Sequence, residues 1–243
     1  MNYIVGLIFA LLLMTSCTTP EKSSDNPEQA FSQAEEYEKA ATYEQAIKKY
    51  QEVKNKFPYS QYAVKAELAV ANVYYKSESY AEAQVHYAAF RDLHPTHSQM
   101  DYVTFQLAMS YYLQLPSTID RDLTLANDSI KYFDEVLSKY KTSTYAADAA
   151  DKRDKVIKML ADKEEYIADF YFKRQNYISA LKRYEDFLKK YHNSPSEAKA
   201  LARASYSALK LGDKNKAKNF KEQLLQRFPD SEFADFAKKE IYL

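Results

Sequence analysis

The sequence predicts an all-α protein, a superhelical array of about five helix pairs, and three observations carry that prediction. Only two of the 243 residues are glycine, Gly6 and Gly212, so there are few places where the backbone can turn sharply. Ala, Leu, Lys, Glu and Gln, all strong helix formers, are abundant, and no segment reads as a strand. One phrase occurs three times: Phe57-Pro58-Tyr59-Ser60-Gln61-Tyr62-Ala63, Tyr140-Lys141-Thr142-Ser143-Thr144-Tyr145-Ala146 and Phe228-Pro229-Asp230-Ser231-Glu232-Phe233-Ala234. In each an aromatic closes one helix, Pro or a polar residue interrupts it, and Ser caps the next by accepting a backbone N–H. Looser copies stand at His94-Pro95 and at Tyr191-His192-Asn193-Ser194.

The scarcity of glycine also excludes a dinucleotide fingerprint, a phosphate-cradling loop and a Gly-x-Ser-x-Gly elbow, each of which needs several glycines. A formal net charge of zero removes the basic signature of a nucleic-acid binder. The charge is unevenly spread, −5 over residues 1–125 and +5 over residues 126–243, which predicts different partners for the two halves.

Taken in order, residues 1–16 read as a leader: the apolar run over residues 3–14 is about 12 residues long, where a membrane-spanning helix needs about 20. Met14-Thr15-Ser16-Cys17 follows, and its small residues before the only cysteine resemble the bacterial lipobox, in which that cysteine is lipidated and becomes the first residue. Residues 17–26 are polar and turn-forming, a flexible tether behind the anchor at Cys17.

Residues 27–243 hold the repeats, near 27–60, 64–97, 101–144, 161–194 and 198–231, followed by a capping helix with Phe236 and Ile241 inward. Small residues at positions 8 and 20 and aromatics at positions 11 and 24 match the tetratricopeptide spacing. Repeat one has Ala34, Tyr37, Ala46 and Tyr50; repeat two has Ala71, Tyr74, Ala83 and Tyr87; repeat four has Ala168, Tyr171, Ala180 and Tyr184. Repeat three keeps Ala108, Tyr111, Ser129 and Phe133 with a longer link between its helices, and repeat five is degenerate, with Lys221 in place of the second aromatic. The 51 residues between Lys141 and His192 signal an elongated helix or an insertion.

Beyond these packing slots the chain resembles the BamD family, tetratricopeptide lipoproteins of the machinery that inserts β-barrels into bacterial outer membranes. The resemblance rests on the lipobox-like start, Tyr74-Tyr75-Lys76, Arg91-Asp92-Leu93-His94-Pro95-Thr96-His97 with Asp101-Tyr102, the charged insertion Asp120-Arg121-Asp122, Tyr145-Ala146-Ala147-Asp148-Ala149, and the arginine-bearing segment from Glu165 to Arg183. It implies a lipid-anchored, non-catalytic subunit on the periplasmic face of the outer membrane. Its C-terminal half would dock on a periplasmic POTRA domain of a BamA-like barrel protein, with the family's docking arginines falling on Arg183 and Arg174. Its N-terminal half would engage unfolded β-barrel proteins. The alternative is a tetratricopeptide lipoprotein that serves as an adaptor for other cell-envelope proteins such as peptidoglycan enzymes; it should lack the His-Pro-x-His and Asp-Arg-Asp phrases.

No enzymatic constellation, metal site or cofactor is expected. His94, His97 and Asp101 surround a helix joint, and His86 and His192 supply no completing set of ligands. The adjacent carboxylates Glu35-Glu36 and Glu164-Glu165 point about 100° apart on a helix. In such repeats positions 2, 5, 9, 12 and 13 of the first helix face the concave side. They are filled here by Phe31 in repeat one, by Leu68, Asn72, Tyr75 and Lys76 in repeat two, and by Tyr102, Phe105, Met109 and Tyr112 in repeat three. This face is expected to take an extended aromatic-rich peptide, such as the last strand of an unfolded barrel, with apolar side chains between Leu68, Tyr75 and Phe105 while Asn72 and Lys76 meet backbone or carboxylate. The competing expectation is that the tether or a neighbouring helix fills it.

Overall fold

A computed structural model of the protein describes residues 24–242. Eleven helices and no strand occur among the described residues, so the all-α prediction holds. They are α1 Pro27–Lys39, α2 Tyr43–Lys56, α3 Gln61–Lys76, α4 Tyr80–Leu93, α5 Met100–Leu113, α6 Leu125–Lys139, α7 Ala146–Lys173, α8 Tyr177–Lys190, α9 Glu197–Lys210, α10 Lys214–Arg227 and α11 Glu232–Glu240. The chain divides into two compact units, Met1–Ala66 and Glu67–Leu243, with the boundary inside α3.

In the first unit α1 and α2 pack through Ala34 and Ala46, both fully buried, whose single methyl groups let the helices approach closely. Tyr50 fills the space beside them, its ring 5.2 Å from that of Phe31, and its hydroxyl donates to Glu38 at 2.6 Å. Asn26 caps α1 by accepting the Glu28 N–H at 2.8 Å. Pro27 follows, at the one position where a missing N–H costs nothing.

In the second unit successive helices from α4 to α10 pack in order, and α11 closes on α9 and α10. The small slots Ala71, Ala83, Ala108, Ser129, Ala168, Ala180, Ser205 and Ala217 are all fully buried. Where the slot is Ser its hydroxyl crosses to the facing helix: Ser129 donates to the Ala108 carbonyl at 3.4 Å and Ser205 to that of Ala217 at 2.6 Å. Lys221, standing where an aromatic belongs, donates to the Ile241 carbonyl at 2.8 Å and so satisfies an acceptor just past the end of α11.

The long unit after Lys141 is an elongated helix: α7 has 28 residues, and its two halves pack against α6 and α8 respectively. The joint serines do two jobs. Ser231 is a true cap, accepting the Ala234 N–H at 3.1 Å, whereas Ser143 and Ser194 accept from the residue two positions on and shape the turn before the helix begins. Ala41, Glu78, Gln175 and Gly212, each two residues beyond the end of a first helix, have positive φ of 55°, 60°, 58° and 80°. Only Gly212 meets that left-handed closure without strain; the others hold it at about 1–2 kcal/mol each.

Candidate binding surfaces

The second unit brings Asn72, Tyr75, Tyr102, Phe105 and Tyr112 together around one polar cluster. Tyr87 of α4 and Tyr102 of α5 both donate to Asn72 Oδ1, at 2.7 and 2.9 Å, and Gln106 Nε2 donates to Tyr102 Oη at 3.2 Å. The Tyr75 ring stands edge-on to Tyr80 at 5.4 Å and to Tyr87 at 6.4 Å. Burial pushes its phenol up to about 12, with Tyr80, Tyr102 and Asp148 adding to the shift and Lys152 opposing it. Lys76 is exposed at the end of α3. Phe31 lies in the first unit, half-buried between Tyr50 and Tyr62.

The expectation of a continuous open apolar face is narrowed by burial. Leu68, Phe105 and Met109 are 6%, 6% and 8% exposed and belong to the core. Phe105 is stacked on Tyr145 at 5.1 Å and lies 6.1 Å from Phe133, so residues from beyond α5 cover it. What remains open is Asn72, Tyr75, Lys76, Tyr102 and Tyr112, a partly exposed face of phenols, one amide and one lysine.

The two predicted docking arginines stand on α8 and at the end of α7. Arg183 Nη1 donates to Glu164 at 3.2 Å, with the two side chains 42% and 28% exposed. Arg174 has no carboxylate partner among the described residues; its guanidinium lies over the Phe170 ring, 3.6 Å from the centroid. Phe170, Tyr166 and Ile178 are large exposed side chains on the same helices. Sequence reasoning gave none of these three a binding role. The signal was a four-residue spacing, Tyr166 to Phe170 to Arg174, that avoids the packing slots at Ala168 and Tyr171.

Elsewhere on α7, Glu165 and Asp169 turn to α9. Asp169 accepts from Lys199 at 2.8 Å, from Tyr184 at 2.6 Å and from Arg203, while Glu165 takes Ser196 and Lys199. Burial of Asp169 favours its neutral form, but these donors outweigh it and hold the carboxyl below its ordinary value. His94 Nε2 meets Glu67 at 2.5 Å, and both His94 and His97 pack on Phe90. Glu164 and Glu165 bind different partners and share no site. No helix among the described residues is long and apolar enough to cross a membrane. Cys17, the predicted anchor, lies outside the described residues.

Residues 23–222 match the model of the family described as YfiO, outer membrane lipoprotein. The outer membrane protein assembly factor BamD of Neisseria meningitidis serogroup A is 30% identical over 219 residues, covering 86% of this chain and 82% of that protein. The protein of the same name from Vibrio cholerae is 27% identical over 206 residues, covering 81% and 86%. Among solved structures, the TPR2AB domain of yeast Sti1 aligns with 86% of this chain and 80% of that one, at 14% identity and a TM-score of 0.44.

Proposed function

We propose how this chain, which belongs to the YfiO family of outer-membrane lipoproteins, takes part in outer-membrane protein assembly. As a non-catalytic subunit it docks on a POTRA domain of a BamA-like barrel protein through α7 and α8, and holds unfolded β-barrel substrates on the face around Asn72, Tyr75 and Tyr102. Lipid on Cys17 anchors it to the periplasmic face of the outer membrane.

The observation that carries the docking reading is Arg174 stacked on Phe170 with no carboxylate partner among the described residues. The ring holds the guanidinium in place, and its planar fork is left to bind a partner carboxylate bidentately. Exposed Tyr166 and Ile178 supply apolar contact around it, an aromatic and arginine composition typical of binding hot spots. Arg183 exchanges Glu164 for a partner carboxylate at small cost, because an exposed pair is worth at most about 1 kcal/mol.

Affinity purification of the tagged, lipidated protein from membranes tests this. The wild type should recover a BamA-like barrel protein, and Arg174→Glu combined with Arg183→Glu should lose it at unchanged helicity. Recovery of peptidoglycan enzymes alone would replace the reading with the adaptor. Metabolic labelling with a fatty acid should mark the wild type and not Cys17→Ser. A photoreactive residue in place of Tyr75 should crosslink barrel-protein C-termini; adducts confined to the chain itself would remove the substrate face.

A further inference from the structure

The exposed face of α3 carries two hydrogen-bond donors that no described residue uses. Asn72 Oδ1 accepts from Tyr87 and Tyr102. Gln106 Nε2 donates to the Tyr102 oxygen, which leaves the Tyr102 proton for Asn72 and agrees with an amide whose oxygen is turned toward the phenols. The Asn72 Nδ2 group therefore faces away from them and has no partner among the described residues. It is also open to solvent: Thr104 Oγ1 is the one described side-chain polar atom that is both shielded and unpartnered. One turn further on, the Tyr75 hydroxyl has no hydrogen-bond partner among the described residues either. As a phenol it is protonated, and so a donor, at neutral pH.

Side chains three residues apart on a helix are about 5–6 Å apart at Cβ. Carbonyls along one edge of an extended chain recur every second residue, about 6.6 Å apart. Two neutral donors at that spacing suit two neutral acceptors. A terminal carboxylate would want a cation beside it; Lys152 already answers Asp148 at 3.0 Å and Asp151 at 3.1 Å, and Lys76 has an interaction within the protein, so either would have to exchange a partner to serve one. We infer that Asn72 and Tyr75 grip an extended peptide by its main chain, each donating to one of two carbonyls on the same edge. Burial of Leu68 and Phe105 leaves main-chain contact as the principal grip, with Tyr102 and Tyr112 flanking it. This rests on the substrate face proposed above and specifies what that face recognises.

The test titrates the full chain with a fluorescein-labelled peptide of alternating Thr and Tyr that ends in Phe, made both as the free acid and as the carboxamide. The wild type should bind both forms alike. Asn72→Asp keeps an acceptor for both phenols but has no N–H, and should weaken both forms about tenfold or more. Asn72→Leu, which adds no charge, should lose a similar factor, and Tyr75→Phe about threefold. With a carbon-13 label at the internal carbonyls, the infrared amide band should shift down on binding to the wild type and stay put with Asn72→Asp, a readout independent of affinity. Equal binding by wild type and Asn72→Asp would overturn the inference while leaving the substrate face intact. A penalty confined to the free acid would overturn it in favour of a terminal carboxylate. No binding by the wild type would remove the substrate face and this inference together.

Discussion

Repeats two and four place four residues in the same register and fill them with opposite chemistry. Asn72, Tyr87, Tyr102 and Gln106 in and after the one correspond to Asp169, Tyr184, Lys199 and Arg203 in and after the other. In both, a buried tyrosine on the second helix donates to an acceptor on the first, at 2.7 Å and 2.6 Å. Around Asp169 the next pair of helices brings two cations, which complete the carboxylate and tie α7 to α9. Around Asn72 it brings a phenol and an amide, which leave two N–H groups over. The same scaffold positions thus serve cohesion in one place and, on the proposal above, recognition in the other, the difference being whether the neighbouring helix saturates the central side chain.

The comparison makes its largest claim about stability. Asp169→Ala leaves Lys199 and Arg203 without their shared anion in a largely buried site, and should cost about 3 kcal/mol in urea denaturation. A loss below about 1 kcal/mol would show that the ionic cluster is not cohesive. Next comes acid. Because the folded pKa of Asp169 lies below its ordinary 3.8, its contribution is present above about pH 4 and lost as pH falls through the folded value. The stability gap between wild type and Asp169→Asn should therefore narrow below about pH 4; a gap that widens there would reverse the assigned sign. A smaller effect is expected at the neutral cluster, where Asn72→Ala takes the acceptor from two phenols but leaves no charge uncompensated, and should cost about 1 kcal/mol. Equal costs at Asn72 and Asp169 would erase the distinction. The smallest effect is that of salt on peptide binding. Raising NaCl from about 0.05 to about 0.5 M should change affinity at the Asn72 face less than about twofold, while docking through Arg174 and Arg183 should weaken several-fold. Strong salt dependence at the Asn72 face would mean that charge contributes to its grip.

The repeat slots were readable because they follow from helix geometry alone. Ala71, Ala83, Ala168 and Ala180 are buried, and so are Tyr87 and Tyr184, since a period near 34 residues puts them between paired helices whatever the neighbours. The concave positions were less readable. Register predicts that Leu68, Phe105 and Met109 lie on the inner side, but not that further packing would bury them. The exposed ridge of Tyr166, Phe170 and Ile178 was given no binding role because its residues look like any other apolar residue in a helix-rich sequence. Which way the Asn72 amide turns is beyond any pattern, because it depends on Tyr102, 30 residues away in sequence and 2.9 Å away in space, and on Gln106, which donates to that tyrosine. The substitution that reads as degeneracy, Lys221, is explained only once the chain end folds back to offer a carbonyl.

The length of α7 has a mechanical consequence. At 28 residues and 1.5 Å per residue it is a strut about 42 Å long. Its first turns carry Asp148 and Lys152 beside Tyr75, and its last turns carry Phe170 with Arg174 at its tip. Hydrogen bonded along its whole length, such a strut is a stiff lever arm: a tilt of about 5° at one end would displace the other by about 4 Å, the scale on which a contact is made or lost. A load at the docking site proposed around Arg174 would thereby reach the tyrosines at the far end by leverage, with no local rearrangement in between.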